Sequence, residues 1–132
     1  MADGWTEEDR MTNDVQDQGS DPAPALTEVL DLADLVQVSE ASIVSRVVMR
    51  AEGVRIVLFA FDTDQELTEH TAAVPILLQV LDGRLRVGAG GASVELAPGG
   101  VVHIGARVAH EVLALEPARM ALTMLDPRES GS

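Results

Sequence analysis

From residue 43 onward, apolar and polar residues alternate with a period of two, and clusters of Gly, Pro and Asp interrupt the pattern at close intervals. Residues 43–49 predict one strand and Glu52-Gly53 a turn. Residues 54–61 predict a second strand in which Arg55 is the only charge, before Asp62-Thr63-Asp64 breaks the pattern. Residues 76–81 read as a buried strand ending on the turn signal Asp82-Gly83. Residues 84–87 alternate with Arg84 and Arg86 on one face. Gly88-Ala89-Gly90-Gly91 predicts a hairpin turn into residues 92–96, which alternate again. Pro98-Gly99-Gly100 turns the chain into residues 101–104, and residues 111–115 and 120–125 supply the last strands, joined across Pro117. Many short strands with turns at such close spacing predict an all-β sandwich or barrel.

The first forty residues follow other rules. Apolar residues at 26, 29, 30, 32, 33, 35 and 36, with Thr27 near the start, predict one short amphipathic helix over residues 26–37. Residues 1–25 are rich in Asp, Glu, Gln, Ser, Asn and Gly and end in Asp21-Pro22-Ala23-Pro24, which predicts a disordered acidic tail. Trp5 reads as a stray aromatic in that tail. The predicted organisation is thus a tail (1–25), a short helix (26–37) and a β-barrel domain (40–126).

Length and charge narrow the functions. A chain of 132 residues has room for one core. No apolar run is long enough to cross a bilayer, and the acidic N-terminus lacks a signal-peptide core, so a cytoplasmic location is expected. There is no cysteine, which excludes disulfides and thiolate chemistry. Residues 1–40 hold 11 acids and one arginine, a net of −10, and residues 41–132 hold 11 acids and 8 arginines, a net of −3. That sign repels phosphate backbones and anionic lipid, so neither nucleic acid nor membrane is an expected partner. Lysine is absent, which excludes Schiff-base catalysis.

Few residues are left to carry chemistry. The Gly88-x-Gly-Gly run links two strands and lacks a following helix or Lys-Ser/Thr, so it is a hairpin turn and not a phosphate loop. No nucleophile elbow occurs. Glu66 and Glu69 read as solvated acids. The candidates are His70, His103 and His110.

Leu67-Thr68-Glu69-His70-Thr71-Ala72, then Leu81-Asp82-Gly83, then Pro98-Gly99-Gly100-Val101-Val102-His103-Ile104-Gly105 running to Ala109-His110, together resemble the two sequence motifs of the cupin superfamily. The resemblance covers residues 42–125 and is nearest to small single-domain bacterial cupins, mostly of unassigned activity. It implies a jelly-roll barrel, often dimeric through its sheets. In metal-dependent cupins the first motif supplies His-x-His and a glutamate, and the second a further histidine. His70 and His110 fall on two of those positions, whereas Ala72 and Ile76 occupy the other two.

The inward series from His70 reads His70, Ala72, Val74, Ile76, Leu78, Val80, an apolar lining. The expected pocket is His70, Ala72, Ile76, Leu78, His103 and His110, holding an unknown small molecule that the histidines orient. The alternative is a metal-dependent enzyme of oxygenase, isomerase or decarboxylase type, with one divalent ion on His70, His110 and waters. Glu69 would face away from His70 by parity. A third reading is an interaction partner working through the acidic tail. Outward Leu77, Leu81, Leu113 and Leu115 predict a homodimer.

Overall fold

The structure, a computed structural model, describes residues 25–126; the expected acidic tail and Trp5 lie almost wholly outside them. Nine strands run in antiparallel pairs: β1 Ile43–Ala51, β2 Val54–Phe61, β3 Glu66–His70, β4 Ile76–Asp82, β5 Leu85–Ala89, β6 Ala92–Leu96, β7 Val101–Ile104, β8 His110–Ala114 and β9 Ala118–Leu125. They form a five-stranded sheet, ordered β1-β2-β9-β4-β7, and a four-stranded sheet, ordered β3-β8-β5-β6. Short connections from β2 to β3 and from β6 to β7 close the two sides, so β1 and β2 stand over β3 and β8. Gly99 N–H donates to Val80 O and Val80 N–H to Gly100 O on one side, and Asp64 N–H donates to Ala114 O on the other. The all-β jelly-roll expectation is met.

Between the sheets lies one apolar core. Its inward residues alternate along each strand as the pleat requires: Val57, Phe59 and Phe61 of β2, Ile76, Leu78 and Val80 of β4, Leu85 and Val87 of β5, Met120 and Leu122 of β9. The turns demand glycine where the sequence supplies it. Gly90 and Gly91 both have positive φ, the geometry of a two-residue hairpin. At Gly83, with φ +79, a Cβ would lie 2.2 Å from Pro117 O, so only glycine lets β4 pass the turn before β9.

Over residues 56–61 strand β2 is wholly apolar because both of its faces are covered. Leu58 and Ala60 point away from the main core and join Ala121 and Val36 in a second, smaller cluster on the outer face of the larger sheet. Residues 32–36 form a strap on that face. Arg119 fastens it, donating to Ala33 O and Val36 O while also pairing with Asp82, and Arg46 donates to Leu35 O.

Three expectations need correction. The helix expected over residues 26–37 is only a single 3-10 turn, Leu32–Leu35. No side chain caps its start, and the carbonyls of Ala33, Leu35 and Val36 are taken by Arg119 and Arg46; Leu26 and Leu30 are exposed. The turn expected at residues 88–91 begins two residues later, because Gly88 continues the ladder between Ser93 and Glu111. The inward series counted as one strand from His70 is two strands in different sheets, β3 and β4, separated by residues 71–75; Glu66–His70 is itself a strand. No helix among the described residues is long and apolar enough to cross a membrane.

Candidate functional site at the barrel mouth

The two ends of the barrel differ. At one end Phe61, Leu85, Ala114, Ala118 and Met120 are wholly buried. At the other, where β3 ends and β8 begins, the inward residues Ala72, Ala89, Val102, Val108 and Met124 pack on the core and remain partly exposed. This open end is the mouth. Arg107 N–H donates to Ala72 O at 2.7 Å, tying together the two loops on its rim.

His70 is the last residue of β3 and His110 the first of β8, and the two are register partners. Residues directly opposite on antiparallel strands share a face, so the imidazoles meet inside the barrel. Their ring centroids are 4.3 Å apart at an interplanar angle of 61°. A bulge makes this possible. Leu67 and His70 are three residues apart, which a period of two would send to opposite faces; the irregularity between them brings both inward.

Each ring is oriented by a backbone carbonyl two residues back. His70 Nδ1 stands 2.7 Å from Thr68 O, and His110 Nδ1 stands 2.9 Å from Val108 O. A carbonyl only accepts, so each neutral ring carries its proton on Nδ1 and keeps a free lone pair on Nε2. His110 is 2% exposed. Burial holds its imidazole below the usual histidine value; the bond to Val108 O and the charge of Glu111 oppose that shift, and the neighbouring His70 adds to it.

Of the expected pocket, His70, His110 and Ala72 meet at the mouth. Ile76 and Leu78, each 1% exposed, belong to the core beneath it. His103 does not join them. It is exposed on edge strand β7, opposite Leu77, while its neighbours Val102 and Ile104 turn inward; alternation along the strand sends its ring to the outer face.

Two residues at the mouth escaped the sequence reading as site residues: Arg50 and Arg55. Arg55 has the parity of Val57, Phe59 and Phe61, so it faces inward, and Arg50 of β1 is its register partner. Its partner on β9, Met124, packs on the same core. The signal was present, since Arg55 is the single charge in an apolar strand. Arg50 was hidden by the register shift between Val47 and Met49, which displaces its parity.

The donor set does not fit a resident metal. Stable sites take three or four protein ligands, and no group of three or more His, Cys, Asp or Glu that could hold an ion occurs among the described residues. Ala72 and Ile76 stand where the resemblance calls for histidine and glutamate.

No family model matches the chain, and no curated protein matches it. Solved structures do. A conserved protein of unknown function from Streptococcus pyogenes aligns with a TM-score of 0.69 at 23% identity, over 80% of this chain and 93% of its own. A cupin superfamily protein from Desulfitobacterium hafniense aligns with a TM-score of 0.69 at 21% identity, over 80% and 99%. An RmlC-like cupin from Desulfovibrio desulfuricans aligns with a TM-score of 0.68 at 23% identity, over 76% and 97%. With the strand order and the paired histidines already described, these likenesses establish that the chain has the cupin β-barrel fold.

Proposed function

We propose that this cupin barrel is a small-molecule-binding module, and that its ligand occupies the mouth between the two sheets. The observation that carries the reading is the His70–His110 pair, held edge to face with both Nε2 lone pairs available. Two acceptors set in an apolar surround orient a ligand through its hydroxyl or amide hydrogens, and Ala72, Val102 and Met124 cover its apolar part. A thermal-shift screen with small organic molecules tests this. Ligands that raise the Tm of the native protein and not of His70→Ala support it; a broad library without any such hit counts against it.

The alternative is a metal-dependent enzyme using His70 and His110. It would draw its remaining ligands from water or substrate, because the described residues offer no group of three or more such donors. Elemental analysis of protein purified without a His tag separates the readings. Metal near one per chain, lost in His70→Ala, favours the enzyme.

The same reading includes a homodimer. Leu77 is partly exposed, and Val101 is 55% exposed beside it on the larger sheet's outer face; Leu81 is partly sheltered by the strap. Light scattering at the mass of two chains is the expected result.

A further inference from the structure

We infer that the free edge of β7 is where two copies of this chain join, each β7 pairing antiparallel with the other about a two-fold axis at Val102. The two five-stranded sheets then become one. The inference rests on the homodimer reading and adds which strand meets which, and through which atoms.

The ladder shows which backbone groups are free. Strand β7 pairs with β4 alone, in the register Ile76↔Ile104, Leu77↔His103, Leu78↔Val102 and Gln79↔Val101. Val80 N–H donates to Gly100 O, on the next rung of the same register. Bonded and non-bonded pairs alternate along antiparallel strands, so Leu78–Val102 and Ile76–Ile104 are the bonded pairs. On the other side of β4, Leu125 N–H donates to Pro75 O, which assigns the backbone of Leu77 and Gln79 to β9 by the same alternation. The N–H and C=O groups of Val101 and His103 therefore point away from β4. Among the described residues no other backbone group bonds them, and both residues are exposed. A two-fold axis at Val102 sets Val101 opposite the partner's His103, so each residue gives one hydrogen bond and accepts one. Their side chains meet on the outer face, where Val101 is 55% exposed and Leu77 lies beside His103.

The sheet edges differ in what protects them, and that difference selects β7. Edges are ordinarily blunted by charge, bulges or cover. Strand β1 carries Arg46 and a register shift, and β3 carries Glu66, Glu69 and the bulge before His70. On β6, Glu95 is held by Arg84 and Arg86. Strand β7 reads Val-Val-His-Ile, with no Asp, Glu or Arg, no proline and an unbroken register. Among the described strands the exposed large hydrophobic residues are Val94 of β6 and Val101 of β7, and the short connection between those strands puts both on one side of the barrel. Self-pairing gives the missing charge a reason. In a two-fold contact a strand meets its own sequence, so a carboxylate there would face a carboxylate. With 22 acids against 9 arginines the copies repel overall, and they close best where neither carries charge. A foreign strand would be read through matching charges, and β7 offers none.

The test separates backbone from side chain. Light scattering of the full chain at rising concentration should show monomer passing to dimer. His103→Pro and Val101→Pro each remove an outward N–H and leave the bonds to β4 in place. Each should weaken the dimer about tenfold or more, since one donor is lost from each copy. His103→Ala keeps the N–H and should still dimerise. If the proline variants fail to fold, hydrogen exchange of the native chain decides: the Val101 and His103 amides should be protected in the dimer and exchange freely on dilution. A dimer that resists both prolines, that responds alike to His103→Pro and His103→Ala, or whose outward amides stay unprotected would overturn the edge pairing and leave the homodimer reading standing. A chain that remains monomeric at its highest soluble concentration would overturn both.

Discussion

The closed end of the barrel and its mouth are built from the same strands and obey different constraints. At the closed end every inward position of β2, β5 and β9 is filled by Phe59, Phe61, Leu85, Ala118 or Met120, each at most 1% exposed. At the mouth the same strands offer Arg55, Ala89 and Met124, beside His70 and His110. Close packing holds the fold together at one end, and partly exposed polar side chains stand at the other, where we propose the ligand binds. On that reading stability and chemistry are separated along the barrel axis within single strands.

Substitutions can break that contrast or sharpen it. The largest effect is expected from Phe61→Ala at the closed end, which should cost about 3–5 kcal/mol in denaturant unfolding, by lost burial and the cavity left behind. A value near zero would show that this end is not the main core. Gly83→Ala comes next, at about 2 kcal/mol or more, because a side chain at positive φ is strained and its Cβ meets Pro117 O. Acid should then weaken the fold through His110. Its folded value is depressed, so the unfolded chain protonates first; the stability it confers is full above the ordinary histidine value and falls as pH drops below it. Urea midpoints measured across that range should fall with acid, and fall less in His110→Gln.

The smaller effects belong to the mouth and the surface. Met124→Ala should cost about 1 kcal/mol or less, since its side chain is already partly in solvent. A cost equal to that of Phe61→Ala would erase the contrast between the ends. Smallest of all is Glu95→Ala, which removes the exposed pairs with Arg84 and Arg86 and should change stability by less than about 1 kcal/mol.

The strands and turns were legible because they are local. Alternation marks β1, β2, β4 and β6, and Gly53, Gly83 and Gly91 stand where turns need positive φ. The resemblance to the cupin motifs picked out His70 and His110, whose meeting the register then showed. What stayed hidden depends on irregularities and on distant partners. The bulge before His70 and the register shift in β1 change which face a residue takes, so neither Glu66–His70 as a strand nor Arg50 as an inward residue could be counted from parity. His103 was placed at the pocket by its motif, and edge position with simple alternation turned it outward. The strap reads as helical because its apolar spacing suits a helix, but Arg119, more than eighty residues away, captures its carbonyls.

That capture has a kinetic consequence. The Arg119 guanidinium on β9 binds the Ala33 and Val36 carbonyls, and β9 is held in place by β2 and β4, so residues 32–36 dock on a surface that those strands have to build first. We expect them to open ahead of the strands in native-state hydrogen exchange. Their departure would wet Leu58, Ala60 and Ala121 while leaving the interior between the sheets closed.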